Sequence, residues 1–369
     1  MKRFITKTLM MALPIIGVTL YYVLAVEPHK NGDLGRLGFL PFDDTYESKI
    51  NHTGMDTLYV TNIENMEQTF PDSTILTIGD SFSLMGLCGY QNYLAKQYPG
   101  YTIYNLTYQI SDSIDGTSVN FQRFVDMLAS DVPLPRIIIM ECVERILASR
   151  LYNLTFHPHA EAEKATTVQT TDTKAASVTS RPAEKPAGKT GLQELVTRFK
   201  DDKEQLKKDL QNTSEYVRKR LNIDNPVKHL KLRQKMFSCK GAEDDLFFIK
   251  EDLTQVTEEY CATSRLKLDT LLHLTEQKGI KFVFMVPADK YDLYKDFAIK
   301  DKYQVAGQLS FFGQYNNNPH FLNCKELLYP LVEQGGTDIY RCNDTHWSPI
   351  ASECVAQELK RRLDIQEAQ

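Results

Sequence analysis

Four short apolar runs, at residues 74–78, 101–106, 136–141 and 280–286, are separated by segments whose apolar positions recur at helical spacing. The runs are rich in β-branched and aromatic residues and too short for helices, so they read as strands of a buried parallel sheet. After the first run, Leu84, Leu87, Tyr90, Tyr93 and Leu94 predict a helix that stops at Tyr98-Pro99-Gly100. Val119, Phe121, Phe124, Val125 and Leu128 predict a second. Residues 252–277, closed by Lys278-Gly279, predict a third, and residues 289–296 a short fourth. A last short strand is expected at 338–341, before a helix whose apolar face includes Ile350, Val355, Leu359 and Leu363. The alternation predicts an α/β fold, a doubly wound parallel sheet with helices on both faces.

The rhythm breaks twice. Residues 157–191 are Thr, Ala, Lys, Glu and Pro, which cannot bury a core and read as a disordered loop. A charged helix follows from Leu192 to Leu221, with one apolar stripe suited to packing on the domain or on a partner helix. At the start, Lys2, Arg3 and Lys7 precede a wholly uncharged stretch from Leu9 to Val26. That is the length of a bilayer span, with the N-terminus inside and the remainder outside the cytoplasm. The alternative is a cleaved signal peptide ending near Val23-Leu24-Ala25. The expected organisation is a membrane anchor at 1–30, a first α/β part at 31–156, an insertion at 157–240 and a second α/β part at 241–369. Residues 32–67 are turn-rich and read as a connecting segment.

Composition narrows the classes. A 42% apolar and 25% charged chain is globular, and a net charge of −5 with dispersed basic residues gives no reason to expect nucleic acid. The seven cysteines form no C-x-x-C pair, so no zinc site is expected, and no other metal or organic cofactor is implied. Cys324 with Cys342, or Cys239 with Cys261, are candidate disulfides for an exported domain, and spacing leaves both open.

The chemistry lies at the two ends of this pattern. Gly79-Asp80-Ser81-Phe82-Ser83 follows the first strand, which sets Ser81 on a turn above the carboxyl edge of the sheet. Alone, such a turn is as well read as a helix cap made by Asp80 or Ser81. Asp344-Thr345-His346 sits between the predicted last strand and the last helix, on the same edge. An imidazole there is suited to take a proton from Ser81, and a carboxylate to hold its tautomer. The other seven histidines lack that context.

Four motifs then carry a resemblance: Gly79-Asp80-Ser81-Phe82-Ser83, Glu141-Cys142-Val143-Glu144-Arg145, Val286-Pro287-Ala288-Asp289-Lys290-Tyr291 and Asp344-Thr345-His346-Trp347-Ser348. They resemble the SGNH-hydrolase-like (flavodoxin-like) domain of the alginate O-acetyltransferase family, over about 73–150 and 281–363. The resemblance implies a membrane-anchored serine enzyme that O-acetylates a polysaccharide outside the cytoplasm. It implies Ser81 as nucleophile, His346 as base and Asp344 as orienting acid. It also implies a multi-spanning membrane acyltransferase as the source of acyl groups. Three features depart from the pattern. The Asp-x-His-Trp follows the Gly-Asp-Ser here, as in SGNH esterases, whereas the acetyltransferases place it first. The spacing is Asp-x-His rather than the esterases' Asp-x-x-His. The esterases' Gly-x-Asn-Asp is absent, with Glu141 to Arg145 in its place. The Ser81 N–H and Gly116 are therefore the oxyanion candidates. Arg145 is a candidate to grip substrate or to pair with Glu141 or Glu144, and Trp347 a candidate sugar-stacking wall or core residue. The same triad would serve a carbohydrate esterase, and a vestigial one would leave a non-catalytic assembly protein.

Overall fold

The computed structural model describes residues 12–17, 32–38, 40, 42–43, 45–51, 55–64, 66, 69–107, 116–156 and 225–368. Most of the expected membrane span, the loop at 157–191 and the helix at 192–221 lie outside these residues. Among the described residues no helix is long and apolar enough to cross a membrane. The chain divides into two compact units, one of 1–27 with 159–224 and one of 28–158 with 225–369. Residues 225–240, expected as the end of the insertion, fall in the second of these units, where 227–231 pair with 245–249 as a hairpin.

That unit is built on a six-stranded sheet in the order β1-β3-β2-β4-β7-β8, with every neighbouring pair parallel. The strands are β1 (Val60–Ile63), β2 (Thr74–Ile78), β3 (Thr102–Leu106), β4 (Ile137–Glu141), β7 (Lys281–Val286) and β8 (Phe321–Asn323). A separate antiparallel hairpin pairs β5 (Val227–Lys231) with β6 (Asp245–Ile249). The helices are α1 (Asp33–Gly38), α2 (Tyr46–Ile50), α3 (Tyr90–Gln97), α4 (Gly116–Leu128), α5 (Glu144–Asn153), α6 (Glu258–Gln277), α7 (Lys290–Tyr294), α8 (Cys324–Glu333) and α9 (Pro349–Ala368). They flank the sheet. β2 and β4 are buried along their whole length, which is why their sequences run apolar without alternation.

The chain goes from β2 to β3 on one side and then crosses to β4 on the other. The connections therefore part company at the carboxyl end of β2, where an open α/β sheet leaves a crevice. Ser81 is at that point.

Three expectations change. Residues 338–341 form no sheet strand; Tyr340 makes only an isolated antiparallel bridge with Trp347, and the sixth strand is β8. β8 is three residues long, too brief to show a pattern. The helix expected from Leu84 begins only at Tyr90, after two short 3₁₀ turns at Ser81–Leu84 and Gly86–Cys88. Leu84 and Leu87 are consequently exposed, as is Ile350 at the head of α9. Lastly, the described cysteines are free thiols. Neither proposed pairing forms, and the Cys342 thiol lies against that of Cys239 instead.

Phe284 on β7 lies between Phe121 of α4 and Phe321 of β8, with ring centroids 6.3 Å away in each case. Phe284→Ala should cost about 3–5 kcal/mol in urea unfolding. Ile299→Ala, at a residue 65% exposed, should stay within ~0.5 kcal/mol. Equal effects would contradict this account of the core.

Candidate active site

Ser81 opens the 3₁₀ turn directly after β2, and two buried side chains hold the backbone on either side of it. Glu141, the last residue of β4, accepts from the Asp80 N–H at 2.8 Å and from the Ser83 hydroxyl at 3.0 Å, through one oxygen. Glu141 sits so close that a Cβ on Gly79 would lie 2.5 Å from that oxygen and 2.2 Å from Ser83 Oγ. Glycine at 79 is therefore a steric requirement. Asp80 does cap the turn, accepting from the Phe82 N–H at 3.3 Å. Its other oxygen receives the Val143 N–H at 3.0 Å and the Arg150 guanidinium at 2.9 Å. Burial alone would raise the Asp80 carboxyl, but Arg150 beside it holds it below the usual carboxylate range. Burial and the neighbouring Asp80 charge push Glu141 well above that range. One charged and one neutral carboxyl thus sit side by side at the Ser81 turn. The turn's own bonds engage the N–H groups of Asp80, Phe82 and Ser83. Among the described residues the Ser81 N–H has no acceptor.

His346 Nε2 lies 2.7 Å from Ser81 Oγ, and its Nδ1 lies 2.6 Å from Asp344 Oδ1. The same Asp344 oxygen accepts the His346 backbone N–H at 3.0 Å. Burial opposes the Asp344 charge, yet its hydrogen bond to His346 and that ring's charge keep the carboxyl well below its ordinary value. The Phe82 ring lies tilted 4.7 Å from the imidazole and edge-on 4.7 Å from the Trp347 ring. Hydroxyl, imidazole and carboxylate form one continuous line, the arrangement that lets an imidazole accept a hydroxyl proton while its cation is stabilised.

The loop that carries Asp344 and His346 is pinned from two sides. Asn343 O accepts from the N–H groups of Leu34 and Gly35 at the start of α1, and Asp344 Oδ2 accepts from that of Asp33. The approach is so close that a Cβ on Gly32, where φ is +77°, would lie 2.2 Å from Asn343 O. On the other side, Lys290 Nζ donates to the carbonyls of Arg341, Cys342 and Asp344. Asp33 also brings a second carboxylate to 3.7 Å from His346 Nδ1. Donor atoms of Asp33, Asp344 and His346 lie within 4.8 Å of one another. Their hydrogen bonds to each other, to Thr345 and to Arg36 account for this cluster without a metal.

The remaining predicted residues separate. Gly116 is the first residue of α4, and its neighbour Thr117 donates to the Gly79 carbonyl at 3.5 Å, which places that helix end beside the Ser81 turn. Arg145 pairs with neither Glu141 nor Glu144. Its Nη1 bonds Asp289 at 2.9 Å and lies 3.5 Å from Asp252. Trp347 is fully buried against Phe82, Tyr90 and Tyr340. Of its two readings, only the core residue survives. A small cleft opens beside the turn, lined by Leu58, Val60, Asn62, Leu84 and Gln91 among others. In a 3₁₀ turn residues three apart eclipse, so Leu84 shares a face with Ser81.

The chain matches no family model, no curated protein and no solved structure. The site therefore stands on its geometry.

Arg150→Met leaves the Asp80 charge buried without its partner and should lower unfolding stability by about 3–5 kcal/mol. Arg36→Met, removing an ion pair whose arginine side chain is 64% exposed, should change it by about 0–1 kcal/mol. A mild effect at Arg150 would mean that Asp80 is not the buried anion described.

Proposed function

We propose that this chain is a serine-dependent O-acyltransferase, and that the line from Ser81 Oγ through His346 to Asp344 is its machinery. That line, with contacts of 2.7 Å and 2.6 Å, carries the reading. Ser81 Oγ attacks the acyl carbonyl of a donor ester while His346 Nε2 takes its proton. The imidazolium then gives the proton to the departing group, leaving an acyl-Ser81 ester. A hydroxyl of the acceptor attacks that ester, its proton passing to His346 and then back to Ser81 Oγ. Asp344 holds the ring and balances its charge throughout. The Ser81 N–H, which has no acceptor among the described residues, is the first oxyanion donor, and the α4 end at Gly116 is the place for a second.

The strand order β3-β2-β4-β7-β8 follows the flavodoxin-like 2-1-3-4-5 pattern with one added edge strand, which supports the SGNH-hydrolase-like assignment. The family resemblance supports acetyl as the acyl group and an exported polysaccharide as acceptor. It also supports a multi-spanning membrane acyltransferase as donor system. The uncharged stretch after Lys2, Arg3 and Lys7 supports a single-pass anchor with the enzyme on the outer face of the cytoplasmic membrane. A carbohydrate esterase is the second reading, because Ser81 precedes Asp344 and His346 in the chain as in SGNH esterases.

The test is to incubate the protein with an activated acetyl ester and follow intact mass, with and without oligosaccharide. An adduct of one acetyl group should form on the parent and be absent from Ser81→Ala. His346→Ala should slow its formation by roughly 10²–10⁴-fold. Acetyl recovered on the oligosaccharide supports the transferase, and acetate alone the esterase. A folded protein that gains no adduct contradicts both.

A further inference from the structure

One sequence motif is not used by this chemistry. The segment from Pro287 to Lys290 leaves β7 and is locked against the start of α5. The Glu144 N–H donates to Pro287 O at 3.0 Å, the Asp289 N–H to Glu144 Oε2 at 2.8 Å, and Arg145 pairs with Asp289 at 2.9 Å. The product of this bracing is Lys290, which is 1% exposed. Its ammonium donates to Arg341 O at 2.6 Å, Cys342 O at 2.9 Å and Asp344 O at 3.1 Å. With Asn343 O held by α1, four consecutive carbonyls leading to His346 are all fixed.

We propose that Lys290 is a positioning residue for the reaction, a protonated tripod that sets the place of Asp344 and His346 and lets the site go when it loses its proton. The deduction rests on the acyl-transfer reading and follows from counting donors. Three carbonyl acceptors need three N–H donors, and only the ammonium has three; the neutral amine has two and a lone pair. Deprotonation therefore releases one carbonyl of the loop, and misplacement by ~1 Å costs reaction rate on the order of 10²-fold. The groups facing the ammonium are Asp344 and Cys342 on the loop itself, Asp338 before it, Asp252 from the turn at Lys250–Leu253, and the Phe237 ring at 5.1 Å. Burial lowers the Lys290 value to about 8, against the pull of Cys342 and the three carboxylates.

Stability and rate then respond oppositely to pH. A lysine whose folded value lies below its unfolded value of about 10.4 binds fewer protons folded than unfolded between those limits. Its contribution to stability rises with pH across that window. Generic alkaline unfolding would do the reverse.

The experiment measures Ser81 acylation and unfolding midpoints from about pH 6 to 10 in the full chain and in Lys290→Met. The parent rate should fall above about pH 8. Lys290→Met should be slower at pH 7, on the order of 10²-fold, and should lack that alkaline fall. The parent's stability relative to Lys290→Met should rise above pH 8. An alkaline limb unchanged in Lys290→Met, or an undiminished rate at pH 7, overturns the proposal. A second measurement uses the parent alone and needs no activity: the ¹⁵N signals of the His346 ring should inflect near pH 8 as the loop shifts. A flat response there overturns the proposal even if Lys290→Met does not fold. A parent that never acylates, yet shows the inflection, sinks the acyl-transfer reading and leaves the tripod standing.

Discussion

Two backbone segments 265 residues apart in sequence must meet within one hydrogen bond, at Ser81 and His346. The rest of the site is arranged to make that meeting hold. Neither segment is part of a strand or a long helix. Each is a turn, and turns keep their shape only if their polar backbone groups find fixed partners. The Ser81 turn finds them in Glu141 and Asp80, and the His346 loop finds them in Lys290 and the start of α1. Burying those charges is costly unless each is paired or hydrogen-bonded. Arg150 meets Asp80, Glu141 takes up a neutral state, and Lys290 spreads its charge over three carbonyls.

The fold was legible where a long-range pattern governs it. The runs at β2, β3, β4 and β7 are apolar because both faces of a central parallel strand are covered, and that shows in any window of sequence. β8, with three residues, shows nothing of the kind, and neither does edge strand β1, whose four residues are half exposed. The helix from Leu84 looked continuous because spacing alone does not tell a 3₁₀ turn from an α-helix. The exposed leucines are the consequence: Leu84 edges a cleft rather than a core, and Leu87 is exposed.

The site was legible in part for a similar reason. Ser81, Asp344 and His346 could be picked out because parallel topology puts every strand-to-helix turn on one edge, although the turn before Asp344 follows a bridge and not a strand. Arg145 and Trp347 went differently, since sequence gives no measure of what surrounds a side chain. Arg145 meets Asp289 and Asp252, and Trp347 fills the space under Phe82. Arg150 and Asp33 carried no signal, as a buried charge on a helix or strand end looks in sequence like any surface charge, and Glu141 stood in a motif that did not reveal its hold on the Ser81 turn. Lys290 stood in a recognisable motif whose purpose only the three carbonyls reveal.

The central claim is that Ser81 is an activated nucleophile, and its most direct measure is its reaction with a fluorophosphonate, which labels a serine only when a base is aligned with it. Folded parent protein should be labelled at Ser81 alone, as read by peptide mapping. Labelling should vanish in Ser81→Ala, fall steeply in His346→Ala, and disappear on unfolding. A folded parent that resists the reagent, or is labelled elsewhere while Ser81 stays free, would contradict the claim.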